Sequence, residues 1–199
     1  MPVRLVVLKC PKCGHTIEDK TTSMLFWCND CSTLHTRDEH GIHIMHYEIA
    51  PVMKSPGTLT PFYMPFWKIL VDVRILGEKN VGAFLHTLFS GDQKMEGTFY
   101  MYMPAVDFPN PNNWKDWAYA LTMNPPKFPS RKDFGGLARM CANIDLYDAQ
   151  KLADFLVLNF EAEKPGTLQS IEYTLQVKDI DIVFIPFIDS GGGSLAPLI

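Results

Sequence analysis

The sequence predicts an α+β protein in two unequal parts. A small N-terminal module of three short antiparallel strands is built around two cysteine pairs, and a mainly antiparallel sheet domain with two or three helices follows. Three observations predict this. Two C-x2-C pairs lie close together near the N-terminus, with β-rich runs on either side. Proline and glycine then punctuate residues 51–61. Beyond that boundary, runs of strand period alternate with runs of helical period.

The elements follow in order. Arg4–Lys9 is β-rich, and Ser23–Trp27 leads into the second cysteine pair. Ser32–Thr36 and Ile42–Ile49 flank the polar Glu39-His40-Gly41 turn and read as a hairpin. The module therefore covers residues 1–50. A linker, 51–61, carries Pro51, Pro56-Gly57 and Pro61. In the domain of residues 62–189, Phe66–Ile75 is a strand with Ile69, Val71 and Val73 opposed to Lys68, Asp72 and Arg74. Gly97–Phe108 is a second. Ser170–Lys178 alternates cleanly, Asp181–Ile188 is a short buried run, and Asp179 and Asp181 bracket a turn between them.

Two helices are expected. Asn113 caps the first, over 114–122, before Pro125-Pro126. Asp145 caps the second, with Asp148 at the positive end of the dipole. Leu146, Ala149, Leu152, Ala153, Leu156 and Phe160 then share one face, and residues 161–166 end it. Asn80–Ser90 offers a third helix, weakened by Gly82. Pro65, Pro104 and Pro186 each sit inside an apolar run, which predicts strands that bend or end at similar positions. The tail, 190–199, has a flexible half, Gly191-Gly192-Gly193-Ser194, and an apolar half, Leu195–Ile199, either frayed or docked on a neighbour.

Charge narrows the function. The chain of 199 residues has a net charge of −4, with no basic excess to neutralise phosphates. Residues 1–50 hold five Lys/Arg against six Asp/Glu, so the module is not a hidden basic unit. Nucleic acid is thus disfavoured as a partner. Leu5–Leu8 is too short for a secretory core or a membrane span, and the reading is a soluble, cytoplasmic protein.

Cys10-Pro11-Lys12-Cys13 and Cys28-Asn29-Asp30-Cys31 carry the chemistry. Two cysteines separated by two residues can aim both sulfurs at one point from a single tight turn. Two such turns supply four thiolates in a tetrahedron, which favours a metal over disulfides where no secretion signal is visible. The metal would also stabilise a segment too small to fold on its own core.

The run Cys10-Pro11-Lys12-Cys13-Gly14-His15 resembles the first knuckle of the zinc-ribbon superfamily, and the likeness covers about residues 5–50. It implies one structural Zn2+ held by Cys10, Cys13, Cys28 and Cys31. Ser32 stands where glycine is common after the second pair. Iron in a rubredoxin-like site is the alternative, but rubredoxin-like chains have a glycine after each pair and a longer gap. Four cysteine ligands leave no open position to activate water.

Other residues offer less. His40, His43 and His46 form H-x2-H-x2-H, but residues three apart on a strand face opposite sides, so they read as solvated histidines on a hairpin, with a second metal site as the alternative. Cys141, among apolar neighbours, reads as a small buried residue, and His86 as core or surface. No catalytic set stands out in residues 62–199. Ten methionines and 24 aromatics fill the core or build a partner surface. The leading expectation is a non-enzymatic accessory or adaptor subunit that binds a protein partner or a multi-subunit complex. A transcription-associated nucleic-acid binder, a rubredoxin-like redox carrier and an enzyme with an unrecognised site in residues 62–199 are the alternatives.

Overall fold

Two long strands form the spine of the molecule, and their sequence explains why. Phe62–Glu78 (β5) and Ile171–Asp189 (β8) are rich in aromatic and β-branched residues, which suit a pleated, buried surface. They pair antiparallel from Phe62↔Phe187 to Glu78↔Ile171. The computed structural model describes residues 8–17, 23–38, 41–78, 97–108, 111–162, 171–191 and 194–199.

Nine strands and two helices are formed among these residues. Leu25–Cys28 (β1), Thr33–Asp38 (β2) and Gly41–Met45 (β3) make an antiparallel sheet in the order β1-β2-β3. Tyr47–Ile49 (β4), Gly97–Pro104 (β6), Ala138–Arg139 (β7) and Leu195–Pro197 (β9) join β5 and β8 in a larger sheet with the path β4-β8-β5-β6. The helices are Pro111–Met123 (α1) and Leu146–Ala162 (α2). The chain is therefore α+β. The larger sheet, expected to be mainly antiparallel, is mixed: its long strands are antiparallel, whereas β4 runs parallel to β8 and β7 parallel to β5.

Four expectations change in detail. The segment Ile42–Ile49 is not one strand. It breaks at His46, so β3 stays in the small sheet while β4 crosses to the large one, Tyr47 opposite Ile182. The turn expected at Asp179–Asp181 is absent. β8 runs straight through, with Lys178 as the extra residue of a bulge between the Leu70↔Asp179 and Val71↔Val177 rungs. The first helix starts at Pro111, before Asn113, because proline suits a first helical turn. The apolar tail folds back as β9 on β8, and Leu198 N donates to Pro186 O at 2.8 Å. The Asn80–Ser90 helix lies outside the described residues.

Other expectations hold. Asp145 caps α2, its Oδ1 accepting from Asp148 N at 2.8 Å. The three prolines cluster at one end of the sheet: Pro104 faces Phe66, Pro65 faces Phe184 and Pro186 faces Tyr63. That end is buried on both faces, with Tyr63, Met64, Phe66 and Trp67 all inaccessible. Further along β5, Ile69, Val71 and Val73 stay buried while Arg74 is exposed. α2 contributes Ala149, Ala153, Leu156 and Val157 to the core, and α1 sends Trp117 against Phe187, with ring centroids 5.1 Å apart.

The small sheet has two working faces because strand side chains alternate. Leu25, Trp27, Leu34 and Met45 belong to the main core. Phe26, Cys28, Thr33 and His35 occupy the alternate positions, on the face of the cysteine pairs. Aromatic edges join the two sheets: Trp27 meets Tyr47 at 5.1 Å and Phe134 at 5.0 Å, and Phe134 meets Phe184 at 4.9 Å. The Arg139 guanidinium lies over Phe134 at 4.8 Å. These contacts bring the cysteine module and the larger sheet into one packed unit.

Candidate metal centre

The first knuckle is a small hairpin. Ile17 N donates to Leu8 O and Cys10 N to His15 O, both at 2.8 Å. Gly14 N donates to Cys10 O, and Gly14 holds φ at +76°, a left-handed turn that glycine adopts freely. The second knuckle joins β1 to β2, from Cys28 at the end of one strand to Thr33 at the start of the next. Ser32 takes φ +50° there, so it adopts the glycine-like geometry despite its side chain. Tyr47 donates its hydroxyl to Ser32 O at 2.9 Å and ties this knuckle to the start of the large sheet.

The two turns bring all four cysteines together. Their sulfurs lie within 4.8 Å of one another, with Cys10 to Cys31 at 3.6 Å and Cys13 to Cys28 at 3.5 Å. A tetrahedral ion with metal–sulfur bonds of about 2.3 Å sets its sulfurs about 3.8 Å apart, so the cluster can hold such an ion. Cys10 and Cys28 are buried, Cys13 and Cys31 half-buried, and all four are free thiols. Among the described residues no other group of three or more ligating side chains converges in this way.

The electrostatics of the cluster favour a cation. Against burial, which pushes it up, the backbone N–H groups of Cys13 and Lys12 draw the Cys10 thiol down to about 6. Against the His15 N–H, which draws it down, burial and the Cys28 sulfur push Cys13 up to about 12. Adjacent thiolates repel, so one ionises early and its neighbour is held back. A bound cation removes that conflict and lets all four ionise.

Two further side chains reach the sulfurs. His35 Nε2 lies 3.3 Å from Cys10 Sγ, and Thr33 Oγ1 lies 3.0 Å from Cys31 Sγ. Sequence reasoning missed both. The signal was present, since Thr33 and His35 follow directly on the second cysteine pair, are two apart and share one face of β2.

The remaining candidates stay apart. His43 and His46 are exposed, and His46 Nδ1 pairs with Asp181 Oδ1 at 3.2 Å across the β4–β8 junction. His40 and His86 lie outside the described residues. Cys141, expected to be buried, is exposed: it follows β7 at the margin of the sheet and lines a small pocket of about 70 Å³ with Ser23, Trp27 and Arg139. No helix among the described residues is long and apolar enough to cross a membrane. Compared with protein-family models, curated proteins and solved structures, the chain matches none of them.

Proposed function

We propose that the chain is a zinc-ribbon-like accessory or adaptor subunit: its four-cysteine centre holds one structural zinc, and its larger domain binds a protein partner. The convergence of four sulfurs within 4.8 Å carries the metal half of this reading. Cys10, Cys13, Cys28 and Cys31 would be the ligands. Four thiolates close the coordination shell, so the ion would organise the two knuckles and the small sheet rather than activate water.

The partner half rests on the helix layer. On α2, Tyr147 is 65% exposed and Phe155 53%, with Leu158 also exposed. These positions, with Lys151, follow helical spacing and form one stripe along α2. Beside it, a cavity of about 400 Å³ opens between the helices, where Trp114, Ile144, Leu152 and Phe155 line it together with the polar Asp107, Lys115 and Asn159. Large apolar and aromatic side chains around a concavity favour protein recognition. The apolar tail, by contrast, is already occupied as β9.

Two measurements test the reading. Elemental analysis should find one zinc per chain and a colourless protein; a red protein containing iron would replace zinc with a redox centre. Native purification with nuclease treatment, followed by sizing, should retain one or more proteins in fixed proportion. A chain that elutes alone removes the adaptor half.

A further inference from the structure

His35 is fully buried, at 0% exposure, on the central strand of the small sheet. Its Nε2 meets Cys10 Sγ at 3.3 Å, whereas its Nδ1 is buried with no hydrogen-bond partner. A buried polar atom without a partner is destabilising, so the other nitrogen must make a strong interaction. A thiol is a weak hydrogen-bonding group and compensates poorly. A metal-bound thiolate is an anionic acceptor, and a hydrogen bond to it is about twice as strong as one between neutral groups.

We propose that His35 is a positioning residue of the metal centre: its Nε2–H donates to the Cys10 thiolate, disperses charge from that sulfur and slows loss of the ion. The proposal rests on the reading of the four cysteines as a metal site. A thiolate can only accept, so the ring carries its hydrogen on Nε2 and leaves Nδ1 as a bare acceptor. A bare acceptor is the less costly group to bury unpaired than an orphaned N–H. Thr33 does not duplicate this role. Its hydroxyl lies 3.0 Å from Cys31 Sγ and 3.2 Å from Cys31 O, and one hydrogen must serve both. Phe26 and Ile44 stand opposite His35 on the neighbouring strands, so its rung carries no other polar side chain. Partners of this kind fix the orientation and basicity of a metal ligand, and their removal typically changes metal affinity by about 10–100-fold.

The test compares wild type, His35→Gln and His35→Leu in the full-length protein loaded with zinc or with cobalt(II). Glutamine places its amide nitrogen the same number of bonds from Cα as Nε2, whereas leucine fills the space without a donor. For His35→Leu, zinc transfer to an excess of chelator should be at least about tenfold faster. Its sulfur-to-cobalt charge-transfer band should move to lower energy. His35→Gln should stay near wild type in both. Equal behaviour of the leucine variant and wild type, with one metal bound to each, overturns the role of His35 and leaves the metal site standing. A wild-type chain that takes up neither ion overturns both. Nitrogen-15 shifts of the wild-type zinc form give a readout that needs no variant: a protonated Nε2 is expected, and a protonated Nδ1 sinks the proposal.

Discussion

Ser32 and Gly14 sit at matching places, each just after the second cysteine of a knuckle, and both have positive φ. For glycine this is free. For serine it costs about 1–2 kcal/mol, because Cβ approaches the following carbonyl. The backbone there is held by Cys31 on one side and by the Tyr47 hydroxyl on Ser32 O. The Ser32 side chain itself is exposed. Ser32→Gly should therefore stabilise the loaded protein by about 0.5–1 kcal/mol, after the added entropy of glycine in the unfolded chain is subtracted. A rise in denaturant midpoint at constant slope is the expected result, and an unchanged or lower midpoint refutes it. The departure of Ser32 from the glycine pattern was visible in the sequence. That the backbone keeps the left-handed turn anyway was not, since it depends on where the four sulfurs must meet.

At the scale of elements, β5, β6 and β8 bury ionisable groups whose proton affinities all move the same way. Burial and the adjacent Asp154 carboxylate push the Tyr173 hydroxyl well above its ordinary value; it donates to Asp154 Oδ1 at 2.7 Å. Burial also raises Tyr102. Lys68 is lowered by burial, yet its 2.8 Å bond to Glu48 more than compensates, and the net shift is upward. In each case the folded protein holds its proton longer than the unfolded chain does. The stability these groups contribute is therefore complete below their ordinary values of 10.0 for tyrosine and 10.5 for lysine. It is lost as pH rises through the higher folded values. Denaturant titrations should show stability falling above about pH 10, and more shallowly in Tyr173→Phe. An identical alkaline slope in that variant would dismiss the Tyr173 contribution.

The same elements show how far periodicity can be read. The Asp145 cap and the apolar face of α2 were legible because they depend on residues three and four apart. β8 was read as two strands with a turn. Tyr173, Leu175 and Val177 pack inward at odd positions, and Ile180 packs inward after the bulge at Lys178. A one-residue insertion that reverses the alternation looks like a chain break in sequence, although the hydrogen-bonded ladder continues through it.

Across the whole molecule, the cysteine centre and the large sheet are coupled through the small sheet. One face carries Cys28 and His35, and the other sends Leu25, Trp27 and Leu34 into the main core. Met24 N also donates to Ala142 O, and Ala142 N to Ser23 Oγ at 3.2 Å. Removing the metal should therefore loosen more than the knuckles. With free zinc at about 100 times its dissociation constant, binding contributes about 2.7 kcal/mol. Chelation should then lower the melting temperature by roughly 5–10 °C. Trp27 fluorescence should change with it, while amides of the β5–β8 ladder stay protected. A Trp27 signal indifferent to chelation would show that the two faces are not coupled.

By itself the sequence determined what lies within a few residues: the two C-x2-C turns and their four sulfurs, the strand alternation of β5, the Asp145 cap, and the clustering of proline-bearing runs. Tertiary structure decided what depends on distant partners. It moved Tyr47–Ile49 from the hairpin to β8, folded Leu195–Pro197 back on the same strand, and left Cys141 exposed beside its apolar neighbours. It also aimed His35 at Cys10. The physical reason is common to all four. A local pattern states which side chains share a face, but only the pairing of strands far apart in the chain determines what that face meets.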